Sequence, residues 1–119
     1  MTALLLTNNL LFSSQVSGAA SRVGMTLRTI ASVDNFSDAV NNASVVLIDL
    51  SLPGISIVDL MAEARSSTCP PTEIVAFGPH VHEARLQAAR DAGCDMVMSQ
   101  GAFTTAMNDI LARAAEWSA

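Results

Sequence analysis

The chain contains no lysine, and this absence excludes several functions at once. All six basic residues are arginines scattered singly along the chain, and eleven acidic residues bring the net charge to −5. Binding to a nucleic-acid backbone requires clustered basic side chains, so we expect no contact with nucleic acid. A Walker-type phosphate loop requires a lysine, so that route to nucleotide hydrolysis is excluded as well.

Other enzyme motifs are also missing. The sequence has no Gly-x-Gly-x-x-Gly segment after a predicted strand and no Gly-x-Ser-x-Gly nucleophile elbow. Nothing in it favours a catalytic triad assembled from scattered Ser, His and Asp residues. We therefore expect no enzyme and assign no catalytic residue.

Long hydrophobic runs are absent although half of the residues are hydrophobic. A membrane-spanning helix needs about 20 consecutive apolar residues, so we expect no membrane contact. The first residues lack the basic segment and the cleavage site of a secretory signal. These features predict a cytoplasmic protein, and 119 residues predict one domain with no output domain attached.

Metal-ligating residues are few. Cys69 and Cys94 lie far apart and in no CxxC or His-containing pattern, and such cysteines in a cytosolic protein are typically reduced and buried. His80 and His82 could bind a transition metal together with Asp49. A His-x-His pattern without further ligands, however, more often consists of exposed histidines in a loop. We expect no metal site.

The most informative feature that is present is an apolar run, Val45 to Ile48, that ends in Asp49 and is followed by a turn at Pro53-Gly54. A continuous run of this kind is typical of a strand buried on both faces of a parallel sheet. Asp49 then lies at the carboxyl end of a core strand, where open α/β sheets place their ligands and chemistry.

Strand and helix signals alternate along the whole chain. The pattern predicts five strands, at 3–6, 27–33, 45–49, 73–77 and 95–99, with the second nearer the sheet edge. It predicts five helices, which begin after Asn9, at Asp34 or Asn35, after Ser56, near Val81, and at Thr104 or Thr105. Right-handed crossovers between these units give one parallel sheet covered on both faces.

Three features stand out: Asp49 at the end of the third strand, Pro53 four residues later, and the segment from Ala88 to Asp95 before the last strand. In these features the chain resembles response-regulator receiver domains. The resemblance covers essentially all of residues 1–119. It implies one receiver-like domain with a flavodoxin-like (βα)5 fold, a doubly wound three-layer sandwich whose five-stranded parallel sheet has the order 2-1-3-4-5.

The resemblance makes Asp49 the equivalent of the residue that accepts a phosphoryl group from a histidine donor. In the family, an acidic pair holds Mg²⁺. A Ser or Thr and a lysine contact the phosphoryl oxygens, and together with the metal they neutralise the negative charge of the phosphoryl group. In this sequence, Thr7 and Asn8 stand at the positions of the acidic pair, or Asn8 and Asn9 if the alignment shifts by one residue. Phe77 stands at the position of the Ser or Thr, and Ser99 stands at the position of the lysine. Ser51 and Met96, the latter at the family's aromatic switch position, complete the altered site.

These losses predict a degenerate receiver, or pseudo-receiver, that acts as an interaction module and binds no cofactor. Asp49 would then be a vestigial acid hydrogen-bonded to loop amides or to Thr7 and Asn8, as a buried charge requires. One alternative keeps phosphorylation of Asp49 with weakly bound Mg²⁺, because a single carboxylate holds this ion poorly. Another is a small ligand in the crevice at the sheet edge.

Active receivers commonly contact partners or dimerise through the face formed by the fourth helix, the fifth strand and the fifth helix. We expect a protein partner or a weak homodimer at the same face here. Its candidate residues are Arg85, Arg90, Ala106, Arg113 and Trp117. Trp117 would either anchor the contact, as aromatic residues often do, or pack on the domain's own surface.

Overall fold

The computed structural model describes residues 2–117, and for Trp117 it describes only the backbone. Within these residues, five strands alternate with five α-helices. The strands are β1 Thr2–Leu6, β2 Thr26–Ile30, β3 Val45–Asp49, β4 Glu73–Gly78 and β5 Met96–Ser99. The helices are α1 Leu10–Arg22, α2 Phe36–Val40, α3 Ile57–Arg65, α4 Glu83–Asp91 and α5 Gln100–Trp117. A 3-10 turn, Val33–Asn35, precedes α2.

The strands form one parallel sheet in the order β2-β1-β3-β4-β5. This confirms the predicted flavodoxin-like topology. β3 lies at the centre and all five of its residues are buried, as its continuous apolar run predicts. β2 and β5 are the edge strands, and both carry partly exposed residues.

The sheet separates two apolar cores. Val46 and Ile48 of β3 pack on the side covered by α2, α3 and α4, whereas Val45 and Leu47 pack on the side of α1 and α5. Successive side chains of a strand point to opposite faces. Asp49 therefore points to the same face as Leu47, towards α1 and α5.

Two predicted helix starts are confirmed by their caps. The Asn9 side-chain oxygen accepts a hydrogen bond from the Phe12 amide at 3.0 Å, and the Ser56 hydroxyl accepts one from the Asp59 amide at 3.4 Å. Each bond satisfies one of the amides left unpaired in the first turn of a helix. These caps fix the first turns of α1 and α3.

The start predicted for the last helix was wrong. α5 begins at Gln100, directly after β5, because the Ser99 hydroxyl already accepts a hydrogen bond from the Ala102 amide at 3.2 Å. Thr104 and Thr105 lie inside the helix, where their hydroxyls donate to the carbonyl oxygens four residues earlier. Thr and Ser make such local bonds within helices as well as at their starts, so the sequence alone did not separate the two positions.

Two other boundaries differ from prediction. β2 ends at Ile30 rather than residue 33, since the Ser32 hydroxyl accepts a hydrogen bond from the Asp34 amide and starts the 3-10 turn. α4 begins at Glu83 rather than near Val81, which is exposed in the preceding loop.

Both cysteines are free thiols. Cys94 is half-buried, and burial, together with the negative charge of Asp95, raises its pKa to about 11. Cys69 is exposed, so the expectation that it is buried was wrong. It lies in the loop between α3 and β4, and connecting loops run over the surface.

Within residues 2–117, no helix combines the length and the apolar character needed to cross a membrane.

Candidate functional site

Asp49 is the last residue of β3, and both of its carboxylate oxygens accept hydrogen bonds. Oδ2 accepts one from the Thr7 hydroxyl at 2.7 Å. Oδ1 accepts two from Ser51, one from the backbone amide at 2.9 Å and one from the hydroxyl at 2.6 Å. The residue is only 5 % exposed, and a buried carboxylate is stabilised by short, charge-assisted bonds of this kind.

The sheet brings these donors together. Thr7 follows β1, the strand next to β3, so its buried hydroxyl lies beside the end of β3. That hydroxyl also accepts a hydrogen bond from the Asn9 amide at 3.2 Å, which links it to the start of α1. Ser51 is two residues beyond Asp49 and closes the compact turn that Asp side chains commonly form with their own backbone. Asp49 thus holds the two loops that leave the centre of the sheet.

A cluster of three phenyl rings, Phe12, Phe77 and Phe103, lies on the face towards which Asp49 points. Phe77 is the register partner of Asp49 on the neighbouring strand and is fully buried. Its ring stacks on that of Phe103 with centroids 4.3 Å apart and lies 4.9 Å from that of Phe12. The Phe12 and Phe103 centroids are 5.5 Å apart. This phenyl cluster joins β4 to α1 and α5 with apolar side chains.

Sequence reasoning identified Phe77 but missed Phe12 and Phe103. Each of the two lies four residues before another inward-facing residue of its own helix, Val16 in α1 and Met107 in α5. Helical spacing therefore contained the signal that both rings face the core.

The remaining altered positions are used in other ways. Asn8 is exposed and contributes none of the hydrogen bonds to Asp49. Ser99 starts α5 through its hydroxyl. Met96 is half-buried on β5, and its sulfur lies 3.5 Å from a guanidinium nitrogen of Arg113. Among the described residues, no arginine forms an ion pair with Asp49.

The residues around Asp49 do not fit Mg²⁺. This ion prefers near-octahedral oxygen ligands and is usually held by carboxylates and water. The Thr7 hydroxyl donates to Asp49, and the Asn9 side-chain oxygen accepts from the helix, so neither replaces the missing acids. In the part of the chain that the structure describes, no three His, Cys, Asp or Glu residues are placed to hold a metal; His80 and His82 are exposed.

The predicted interaction residues lie in different surroundings. Arg90 is exposed on α4 and forms an ion pair with Glu83 at 3.3 Å, whereas Arg113 of α5 forms one with Glu73 at 2.8 Å. Ala106 is half-buried on α5. The side chain of Trp117 lies outside the described part of the structure.

Arg85 differs from the others because its guanidinium turns away from β5. Its Nη1 donates to the backbone oxygen of Leu50, just after β3, at 3.0 Å. It therefore lies over the loop between β3 and α3.

No protein-family model and no curated protein matches this sequence. Solved structures do match it over almost its whole length. A response regulator from Hahella chejuensis has a TM-score of 0.80 at 17% identity, with 95% of this chain and 93% of that chain covered. The receiver domain of a sensor histidine kinase from Pseudomonas aeruginosa, solved with magnesium in its active-site cleft, has a TM-score of 0.78 at 15% identity, with 97% of each chain covered. An orphan response regulator of H. pylori has a TM-score of 0.65 at 17% identity, with 95% and 92% covered.

These neighbours have the same parallel sheet and helix arrangement, although few residues are identical. At such identities the likeness concerns the backbone and carries no residue's role from one protein to the other. The strand order and the central position of β3 agree with it. The chain therefore has the fold of the response-regulator receiver domains.

Proposed function

We propose that this protein is a degenerate receiver that acts in signal transduction by binding another protein, and that it does not accept a phosphoryl group. One observation carries the proposal: both oxygens of Asp49 are occupied by hydrogen bonds from Thr7 and Ser51. These bonds give Asp49 a structural role at the junction of two loops. They occupy three of the roughly four lone-pair sites of the carboxylate, and donated hydrogen bonds weaken it as a nucleophile.

The surrounding charges support the same conclusion. A transferring phosphoryl group carries negative charge that cations and fixed donors must stabilise. The Pseudomonas receiver domain holds magnesium in its cleft, but here Thr7 and Asn8 are neutral and no lysine exists in the chain. Phe77 adds an apolar ring beside the acid.

Incubation with acetyl phosphate and Mg²⁺, followed by intact-mass measurement, tests this part of the proposal. We expect no added phosphate, whereas an active receiver domain treated in parallel gains one. The Asp49→Asn variant is the matched control. A phosphate that appears on the natural chain and is absent from Asp49→Asn would refute the proposal and establish the phosphorelay alternative, with Mg²⁺ bound at Asp49.

The interaction surface that we propose lies on α4, β5 and α5. β5 is an edge strand, and its four residues, including Met96, Val97 and Met98, are only half-buried. Partly covered apolar side chains on a sheet edge are suited to contact with another chain. The arginines beside them, Arg90 and Arg113, are already ion-paired, so apolar contact rather than free charge would supply most of the binding energy.

Sedimentation equilibrium over a range of concentrations tests self-association at this face. We expect weak dimerisation that Ala106→Arg reduces, because a long charged side chain on half-buried α5 obstructs the contact. Ala62→Arg, at an exposed position of α3, is the matched control and should leave dimerisation unchanged.

Asp49→Asn should also leave dimerisation intact. Association that depends on Asp49 and ignores Ala106 would contradict an interaction role for this face. A chain that stays monomeric at every concentration would refute the homodimer. The partner at this face would then have to be a different protein.

A further inference from the structure

A cleft opens on the opposite side of β3 from Asp49, between the β3–α3 loop and α4. Its volume is about 170 Å³. Four of its lining residues are apolar side chains of the β3–α3 segment, and two belong to α4: Leu50, Leu52, Ile55, Ile57, Arg85 and Ala88. The walls are therefore largely aliphatic, with one guanidinium.

Arg85 is the polar group of this cleft. Its bond to the Leu50 oxygen uses one N–H, and a guanidinium carries five. Arg65, Arg90 and Arg113 each form an ion pair, whereas Arg22, Arg28 and Arg85 form none with the described carboxylates, and of these three Arg85 lines the cleft. In a chain with a net charge of −5, this arginine is thus held beside an apolar cleft without an acidic partner.

We propose that the cleft binds a small apolar monocarboxylate. The charge of the ligand follows from Arg85, since a guanidinium can bind a carboxylate through two parallel hydrogen bonds. Its size follows from the volume, because an apolar cavity of about 150 Å³ accommodates a benzene ring. The ligand should carry only one charge, because the aliphatic walls contain no partner for a second charged group. Benzoate has the size and charge that these walls select.

This inference goes beyond the proposed interaction role and does not depend on it. A ligand in the cleft would contact both the β3–α3 loop and α4. Because α4 is also part of the proposed interaction surface, the ligand would stabilise one position of that helix relative to the sheet.

Isothermal titration calorimetry with benzoate, and with benzyl alcohol as an uncharged molecule of similar shape, tests the proposal. We expect saturable binding of benzoate and binding of benzyl alcohol at least about tenfold weaker, as expected for the loss of a charge-assisted hydrogen-bonded pair. Arg85→Gln should reduce benzoate affinity to that of benzyl alcohol. Arg90→Gln, on the same helix but paired with Glu83, is the matched control and should bind like the natural chain.

A second variant tests the position of the ligand. Ala88 is exposed on α4, so Ala88→Leu should fold normally, as melting by circular dichroism will verify, while its larger side chain fills the cleft and abolishes binding of both molecules. Absence of saturable benzoate binding up to about 10 mM would overturn the proposal. Equal losses in Arg85→Gln and Arg90→Gln, or full binding by Ala88→Leu, would overturn it as well.

Discussion

Replacement of Phe77 by alanine should destabilise the protein severely, because this ring is fully buried and contacts two other rings. Its centroid lies 4.3 Å from that of Phe103 and 4.9 Å from that of Phe12. Truncation of a buried Phe to Ala generally costs about 3–5 kcal/mol, the sum of lost transfer free energy and the cavity left behind. We expect a loss near the middle of this range, about 4 kcal/mol.

That loss is a large part of the whole stability. A chain of 119 residues has a free energy of unfolding of about 6–18 kcal/mol. Its unfolding entropy near the midpoint is about 0.25 kcal/mol per kelvin, so a loss of about 4 kcal/mol lowers Tm by about 16 °C. The variant should remain folded at room temperature, which makes the measurement possible.

Urea denaturation followed by circular dichroism measures the change, with Leu11→Ala as the control. Leu11 is 73 % exposed in the first turn of α1, and its truncation should change the free energy of unfolding by less than about 0.5 kcal/mol. The pair Phe77→Ala and Phe103→Ala should also be non-additive by about 0.5–1.5 kcal/mol, since the two rings stack. A cost for Phe77→Ala below about 1 kcal/mol would refute the packed phenyl cluster.

The same variant separates packing from chemistry at the site. Removal of the ring opens space beside Asp49 but adds no cation and frees neither carboxylate oxygen from Thr7 and Ser51. Phe77→Ala should therefore still take no phosphate from acetyl phosphate. Gain of phosphate on this variant alone would mean that the ring, rather than the missing charges, blocks the reaction.

Two further predictions concern residues outside the phenyl cluster. Gly78→Ala should destabilise the protein by about 1 kcal/mol, because the added Cβ would lie 3.2 Å from the Leu50 Cβ. Gly101→Ala lies in open space at the start of α5 and should instead stabilise the protein by about 0.5–1 kcal/mol. Thermal melting compares the two variants. Iodoacetamide at pH 8 should label exposed Cys69 and leave Cys94 largely unlabelled, because with a pKa of about 11 only roughly a thousandth of the Cys94 thiol is ionised at that pH. Peptide mass mapping distinguishes the two cysteines, and rapid labelling of Cys94 would contradict its burial.

The order of the elements was predictable because the signals that define it are local. The run from Val45 to Ile48 has no polar interruption and consists of β-branched and aliphatic residues, as is typical of a short strand covered on both faces. Asn9 and Ser56 stand directly before apolar helical patterns and cap them as predicted. The boundaries were less predictable where several hydroxyls compete, as Ser99, Thr104 and Thr105 do around the start of α5.

The surroundings of Asp49 were only partly predictable. A missing lysine and missing acids can be read directly from the sequence. The bonds from Ser51 to Asp49 span only two residues and belong to a local turn. That Phe12 and Phe103 would enclose Phe77, by contrast, depends on the direction of side chains from separate elements. Such contacts join residues far apart in sequence, and no local pattern specifies them.

By itself, the sequence determined the alternation of strands and helices, the central buried strand and the loss of the charges that phosphoryl transfer requires. These depend on the periodicity of apolar residues and on which residue types are present. Only the tertiary structure decided that Ser51, and not Asn8, joins Thr7 in holding Asp49, that three phenyl rings close its side of the sheet, and that Arg85 lies over a cleft on the other side. The reason is physical: a strand fixes the face to which its side chain points, but the partner found there is supplied by whichever other elements pack against that face.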